Sequence, residues 1–314
     1  MISAGKREDG YFMDIKALTP DRVADFVAYC RKHRPEVDDS FLYDEDLHAF
    51  EPNVENPTSI AVNDQDEIIA VASLIVDDYN RKGRKARFRI FHSESEDNAV
   101  YGKLMEEVVK ITVGLDYVFL FVPVVNDKLT AAVEKLRFQM DRYSFLLVRE
   151  DLDVPDVRWP ENFTLRPLVR ERDEQVWCEV RNAAFATLKG SETPITSDMV
   201  SKMTKADDYL DGGMIILYHG DIPVGLVRCA DDDFEGATIM NIGPLAIIPE
   251  YQGHGLGRGL LRAALAFARN QGYNRTVLCV NADNERAKAL YLQEGFKQVE
   301  AVACYQYDLL ELLE

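Results

Sequence analysis

Short runs of apolar residues, separated by polar breaks, carry most of the information in this chain. Phe12, Met13, Ile15 and Ala17 read as a first strand over residues 11–17, and Thr19-Pro20-Asp21 predicts a helix start with Thr19 as N-cap. Runs 59–62 and 67–76 flank Asn63-Asp64-Gln65-Asp66, a hairpin signal. A strand at 85–92, a helix at 99–114, a strand at 117–122, a helix at 127–136 and a strand at 145–148 complete the first half. The Asp- and Pro-bearing stretch 151–161 reads as a linker.

After the linker the order repeats. A strand at 163–166, a helix at 172–186 and a second helix from about Ser197 lead into strands at 214–218 and 224–228. The apolar run 239–248 is followed by a glycine-rich turn, a helix to about Gln271, a strand at 276–280, a helix at 285–293 and closing strands over 296–307. Two halves with one element order, offset by roughly 155–160 residues, imply an internal duplication. The fold expected is α+β: two tandem domains, 1–150 and 162–314, each a mixed, mostly antiparallel sheet with helices on both faces.

Composition narrows the functional classes. The chain has 314 residues, 47% of them apolar, which is enough for a sizeable core. It lacks an uncharged apolar run long enough for a membrane span, and Met1 to Tyr11 has no signal-peptide core. Five cysteines without C-x-x-C spacing suggest buried thiols in a reducing cytoplasm, and no metal site is expected. A net charge of −18 argues against nucleic acid and requires any anionic ligand to be held by local donors.

Such donors are predicted at Gln252-Gly253-His254-Gly255-Leu256-Gly257-Arg258. Glycines at 253, 255 and 257 keep side chains off the backbone where it enters a helix, and a bare helix N-terminus with its positive dipole end suits phosphate. No Gly-Lys-Ser/Thr follows, so this is not a Walker loop. A second motif runs Asn284-Glu285-Arg286-Ala287-Lys288-Ala289-Leu290-Tyr291, closed by Gly295-Phe296. Asn284 suits an N-cap, Gly295 a left-handed helix stop, and Ala287 and Tyr291 share a helix face.

Together the two motifs resemble those of the GNAT acyltransferases: Gln-x-x-Gly-x-Gly at Gln252, Gly255 and Gly257, then Asn-x-x-Ala-x-x-x-Tyr-x-x-x-Gly-Phe from Asn284 to Phe296. The specific resemblance covers about residues 160 to 314. It implies an acyl-coenzyme A co-substrate, most often acetyl-coenzyme A, lying between the strands 239–248 and 276–280. Pro244, in the middle of an apolar strand, independently marks an edge or bulge where those strands part. Backbone groups of Leu245, Ala246 and Ile247 would then face the pantetheine, with the Leu245 N–H as donor to the thioester oxygen. The acceptor, an amine of a small molecule or peptide, would attack the thioester directly while Tyr291 protonates the leaving sulfur.

The base is less legible. Relatives often place a glutamate where this chain has Asn241, which accepts no proton at neutral pH. Asn241 could hold a relay water, with Asp231, Asp232, Asp233 or Glu235 as more distant acceptors. Acceptor contacts are expected from Asn182 and Phe185 to Thr196, on the 229–238 hairpin, and near Tyr305. The first half departs from the pattern, with Ser93-Glu94-Ser95-Glu96-Asp97-Asn98 in place of the glycine turn, Val133 in place of the tyrosine, and Arg137 in place of the glycine before Phe138. It reads as a degenerate copy without donor binding that walls the acceptor pocket, a layout resembling tandem GNAT proteins. The competing expectation is a non-catalytic acyl-coenzyme A sensor. Either a monomer or a homodimer is compatible with the sequence.

Overall fold

Described here, in a computed structural model, are residues 14–95, 97, 99–151, 153 and 156–310. The elements in chain order are β1 (Asp14–Ala17), α1 (Val23–His33), α2 (Asp44–Leu47), β2 (Thr58–Val62), β3 (Ile68–Ile75), α3 (Asp78–Lys82), β4 (Lys85–Ser93), α4 (Ala99–Ile111), β5 (Tyr117–Pro123) and α5 (Asp127–Lys135). They continue with β6 (Gln139–Arg149), β7 (Phe163–Pro167), α6 (Glu174–Phe185), α7 (Ser197–Met203), β8 (Tyr209–His219), β9 (Ile222–Phe234), β10 (Ala237–Ile247), α8 (Leu256–Asn270), β11 (Thr276–Asn281), α9 (Glu285–Gln293) and β12 (Lys297–Asp308). Of the expected first strand, 11–13 lie outside the described residues.

The chain forms two compact units, but a cut at residue 150 does not separate them. Residues from Arg142 to Ala301 make one unit; those up to Asp141 and those from Val302 onward make the other. In the first unit the strand order is β1-β2-β3-β4-β5-β12, with β12 antiparallel to β5 from Val302↔Pro123 to Asp308↔Tyr117. In the second it is β6-β11-β10-β9-β8-β7, with β6 antiparallel to β11 from Ser144↔Asn281 to Arg149↔Thr276. Each unit therefore takes its last strand from the other half of the sequence. One expectation fails: Tyr305, named for acceptor contacts, pairs with Leu120, is buried and belongs to the core of the first unit.

The duplication is visible residue by residue. Asn126 and Asn284 both cap their helices, accepting from Leu129 N at 2.9 Å and from Ala287 N at 3.2 Å. Both helices end on a left-handed residue, Arg137 at φ +69° and Gly295 at φ +88°. The next amide closes each turn, Phe138 N onto Val133 O at 3.0 Å and Phe296 N onto Tyr291 O at 3.1 Å. Val133 thus stands where Tyr291 stands in the second copy, as its motif position implied. Thr19, by contrast, makes no cap hydrogen bond; a 3₁₀ turn over Pro20–Arg22 precedes α1.

In the second unit Val227 and Cys229 join the cluster beneath α8, with Leu260, Leu261, Ala264 and Leu265. Leu226 and Ala230 alternate to the other face, where α6 packs on β9 and β10. Helices therefore cover both faces of this sheet. Four cysteines are buried thiols; Cys279, on β11, is exposed, unlike the expectation. No helix among the described residues is long and apolar enough to cross a membrane.

Candidate acyl-transfer site

The site begins at a break in β10. Its register against β9 shifts between Ile242 and Leu245, a bulge that falls at Gly243-Pro244, where the peptide is cis. Its parallel pairing with β11 consists of Met240↔Thr276 and Asn241↔Val277, after which the two strands part. This is the splaying that Pro244 implied.

Beyond the bulge, the backbone direction can be deduced. Ile248 N donates to Val224 O at 3.0 Å, toward β9. Amide groups alternate sides along a strand, so Leu245 and Ile247 turn theirs to the open edge and Ala246 turns its own into the β9 ladder. Leu245 keeps the expected orientation. Ala246 does not offer backbone groups to the gap, because β9 occupies them, and its side chain is buried.

The glycine turn follows one 3₁₀ turn, Pro249–Tyr251. Gln252 reaches back from it, donating Nε2 to Ile247 O at 2.9 Å, so its amide fixes the turn to the strand instead of projecting toward a ligand. Residues 252–255 are exposed, and His254 touches the Tyr251 carbonyl at 3.3 Å. Gly255 caps α8 at φ +77°, a conformation costly for any residue with a Cβ. No side chain caps the helix and its first turn holds no acid. Gly259 N makes its bond to Gly255 O, which leaves the amides of Leu256, Gly257 and Arg258 with no partner inside the helix. The turn is bare, as the sequence suggests.

Two motif side chains are committed elsewhere. Leu256 is buried in the cluster beneath α8. Arg258 bonds Glu294 Oε1 at 2.5 Å and Gln293 Oε1 at 2.7 Å, where Arg262 also holds Glu294 at 2.8 Å. At both positions the backbone amide, not the side chain, is what the helix start offers. Asn284 likewise spends its side chain on capping α9.

The second motif lies against the first. A Cβ on Gly257 would meet Leu290 at 3.9 Å and Leu245 at 4.0 Å, and one on Gly253 would lie 3.3 Å from an Arg286 guanidinium nitrogen. Arg286, exposed in the first turn of α9, is a cation that the motif reading missed. Its signal was its place two residues after the capping Asn284, on the element that approaches the turn. Tyr291 packs in one cluster with Leu245, Ala287 and Leu290. It is 8% exposed, and burial pushes its hydroxyl up to about 12. No hydrogen bond holds that hydroxyl among the described residues.

Among the hairpin carboxylates the geometry separates one from the rest. Asp231 accepts from Tyr273 Oη at 2.5 Å, and Glu235 pairs with Arg275 at 3.2 Å. Asp232 instead accepts from Asn241 Nδ2 at 2.8 Å. Asp232 is an exposed residue, but partial withdrawal of its carboxyl from water raises its pKa, opposed by the bonds from Asn241 and the Asp233 amide and reinforced by the charges of Asp233 and Asp208. Asn182 is occupied, exchanging hydrogen bonds of 2.9 Å with both backbone groups of Ile195, while Phe185 lies under Arg181 at 5.1 Å. A separate groove of about 470 Å³ beside Trp159, Leu165 and Phe267 contains none of the motif residues.

In the first copy, the helix start is closed. Asp97 Oδ1 accepts from Ala99 N at 2.8 Å, placing a carboxylate of the chain itself at the N-terminus of α4. Glu96 and Asn98 lie outside the described residues.

The acetyltransferase (GNAT) family model matches residues 177–296. A mycothiol acetyltransferase of Pseudarthrobacter chlorophenolicus is 28% identical over 52% of this chain and 54% of its own, so the match spans about half the length of that relative. Among solved structures, a GCN5-related N-acetyltransferase from Sphaerobacter thermophilus superimposes with a TM-score of 0.67 at 17% identity, over 95% of this chain and 96% of its own. A tandem GNAT protein from the clavulanic acid biosynthesis pathway gives 0.69 at 12% identity, over 95% and 99%. The second half of the chain thus matches the acetyltransferase (GNAT) family model over residues 177–296, and nearly the whole chain shares the fold of a solved GCN5-related N-acetyltransferase and a solved tandem GNAT protein.

Proposed function

We propose that the protein transfers an acyl group, most simply acetyl, from coenzyme A directly to an amine of a small molecule or peptide, using the second unit. The observation that carries this reading is the uncapped start of α8 beside the gap between β10 and β11, with the Tyr291 hydroxyl unbonded in the same cluster as Leu245. The bare amides at 256–258 and the Arg286 guanidinium supply donors for a diphosphate, offsetting the repulsion expected from a net charge of −18.

The amine adds to the thioester carbonyl, and the Leu245 N–H donates to the oxygen as it gains charge. The amine's proton passes to Asp232 through water held at Asn241 Oδ1, while Asn241 Nδ2 orients the Asp232 carboxylate. The C–S bond then breaks. With its pKa at about 12, Tyr291 is fully protonated at neutral pH but a poor acid. Complete transfer to a thiolate is disfavoured already by the ordinary values of ~10 and ~8.5, and burial of both groups in one cluster does not reverse that order. Its main contribution is therefore the hydrogen bond it gives the departing sulfur, with the second proton arriving from water.

Free-thiol release from acetyl-coenzyme A across a panel of primary amines tests the reading. Acceptor-dependent thiol with acylated amine supports it; tight coenzyme A binding with no acceptor-dependent thiol would leave a binding protein instead.

A further inference from the structure

The degenerate first unit builds a site of its own. His33 closes α1, Glu36 lies in the 3₁₀ turn that follows, and His92 and Glu94 stand at and just beyond the end of β4. The two imidazoles are buried and stacked, with centroids 4.2 Å apart. His33 Nδ1 is 2.8 Å from Glu36 Oε1, and His92 Nε2 is 3.3 Å from Glu36 Oε2. One carboxylate thus receives an imidazole nitrogen on each oxygen.

The outer ring nitrogens fix what the inner ones carry. The Tyr29 hydroxyl lies 3.1 Å from Ile69 O and 2.8 Å from His92 Nδ1; in the tautomer where its proton goes to Ile69 O, its oxygen accepts from His92 Nδ1–H. His92 Nε2 is then a lone pair aimed at a carboxylate. Glu94, held by Lys32 Nζ at 2.6 Å, accepts from His33 Nε2–H at 2.7 Å. In the neutral ring His33 Nδ1 is then a second lone pair aimed at the same carboxylate. Two lone pairs facing the two oxygens of one carboxylate repel it unless a cation, either a metal ion or the proton of an imidazolium, lies between them.

We propose that His33 Nδ1, His92 Nε2 and the Glu36 carboxylate bind a divalent transition-metal ion, with zinc as the ion of best fit. The ligand atoms all lie within 4.8 Å of one another. A tetrahedral zinc with bonds of ~2.0–2.1 Å sets its ligands about 3.3 Å apart, against 2.8 and 3.3 Å from the two imidazole nitrogens to the Glu36 oxygens here and at most 4.8 Å between any two ligand atoms. Two imidazoles favour zinc-class ions over magnesium and calcium, which select oxygen. The bonds from the outer nitrogens to Glu94 and Tyr29 are those that orient ligating histidines in metal sites generally. Glu36 is exposed, so the remaining coordination position opens to water. The ligands are too dispersed in sequence for spacing to reveal them, and Glu94 comes from the acidic segment that replaced the phosphate turn.

The test uses the full chain, stripped with EDTA and titrated with Zn²⁺ alone by calorimetry, and with Co²⁺ for visible absorption. The expected result is one zinc per chain at sub-micromolar Kd, with Co²⁺ giving the strong bands of a four-coordinate centre. Glu36→Gln weakens zinc by about 100-fold or more. Glu94→Gln weakens it by about 10–100-fold through His33. Glu106→Gln, an exposed carboxylate elsewhere in the unit, leaves it unchanged. Because Glu36 is at the surface, its variant keeps the fold, which equal melting in EDTA verifies. Binding of both ions no tighter than millimolar, or full affinity in Glu36→Gln, overturns the proposal; the lone pairs then carry protons and the cluster is a hydrogen-bond network.

Discussion

The amide of Asn241, the last residue at which β10 still pairs with β11, donates to the Asp232 carboxylate at 2.8 Å across the β9–β10 hairpin. An amide at this position thus presents an acid rather than being one. Asp232→Asn should lower amine-dependent turnover by about 100-fold or more, and the loss should be greatest at high pH, where the wild-type carboxylate is ionised. The linkage runs the other way for stability. A carboxyl raised in the folded state binds more protons there than when unfolded, so it costs stability as pH rises through the acid range. Asp232→Asn should therefore be equally or slightly more stable at neutral pH. Paired pH–rate and urea-melting curves check both signs; unchanged turnover would remove Asp232 as the base.

Tyr291→Phe separates chemistry from binding. The hydroxyl makes no hydrogen bond among the described residues, so its removal should leave stability within about 0.5 kcal/mol of wild type. Turnover should fall by about 100-fold while coenzyme A affinity stays nearly constant. Thiol-release kinetics with calorimetric Kd measurement distinguish this from a packing role, in which stability and affinity fall together.

Arg286→Gln tests the cation that the motifs did not name. Its guanidinium lies 3.3 Å from where a Gly253 Cβ would be, and the turn around it is exposed. The variant should weaken coenzyme A by about 5–10-fold at low salt and less at high salt, with kcat unchanged, since solvent ions screen an exposed pair. Salt-independent loss would place its effect in the fold of α9 instead.

Backbone features of the site were legible because they depend on local chemistry. Gly255, Gly295 and Pro244 announce a bare helix start, a helix stop and a strand break without reference to anything distant. Side-chain commitments were not legible, since they depend on partners far away in sequence. Arg258 is spent on Glu294, Gln252 on Ile247, and Asp232 is singled out only because Tyr273 and Arg275 occupy its neighbours. The strand exchange was hidden for a related reason. The run 145–148 and the closing strand alternate correctly wherever they dock, so periodicity cannot say that Ser144 to Arg149 pairs with β11 and Val302 to Asp308 with β5.

The clamp behind the helix start gives a last prediction. Glu294, with its side chain only 4% exposed, is gripped by Arg258 and Arg262, and its own carbonyl accepts from Arg149. Burial pushes its carboxyl up, but the hydrogen bonds from Arg262 and Arg258 more than reverse this and leave it below the ordinary value. A depressed carboxyl stabilises the fold above the unfolded pKa and ceases to do so as pH falls through the folded one. The second unit should therefore lose stability below about pH 4.5 through this group. Glu294→Gln removes the anion and leaves Arg262 and Arg258 facing a neutral amide, costing about 2–4 kcal/mol at pH 7, discounted because both guanidinium groups are partly exposed. The same loss should loosen the start of α8 and weaken coenzyme A binding, since Arg258 sits in its first turn. Urea unfolding of variant and wild type at pH 7 and at about pH 2, where the folded carboxyl is also protonated, measures the effect; a cost that stays the same at both values would show that packing, not charge, is what Glu294 contributes.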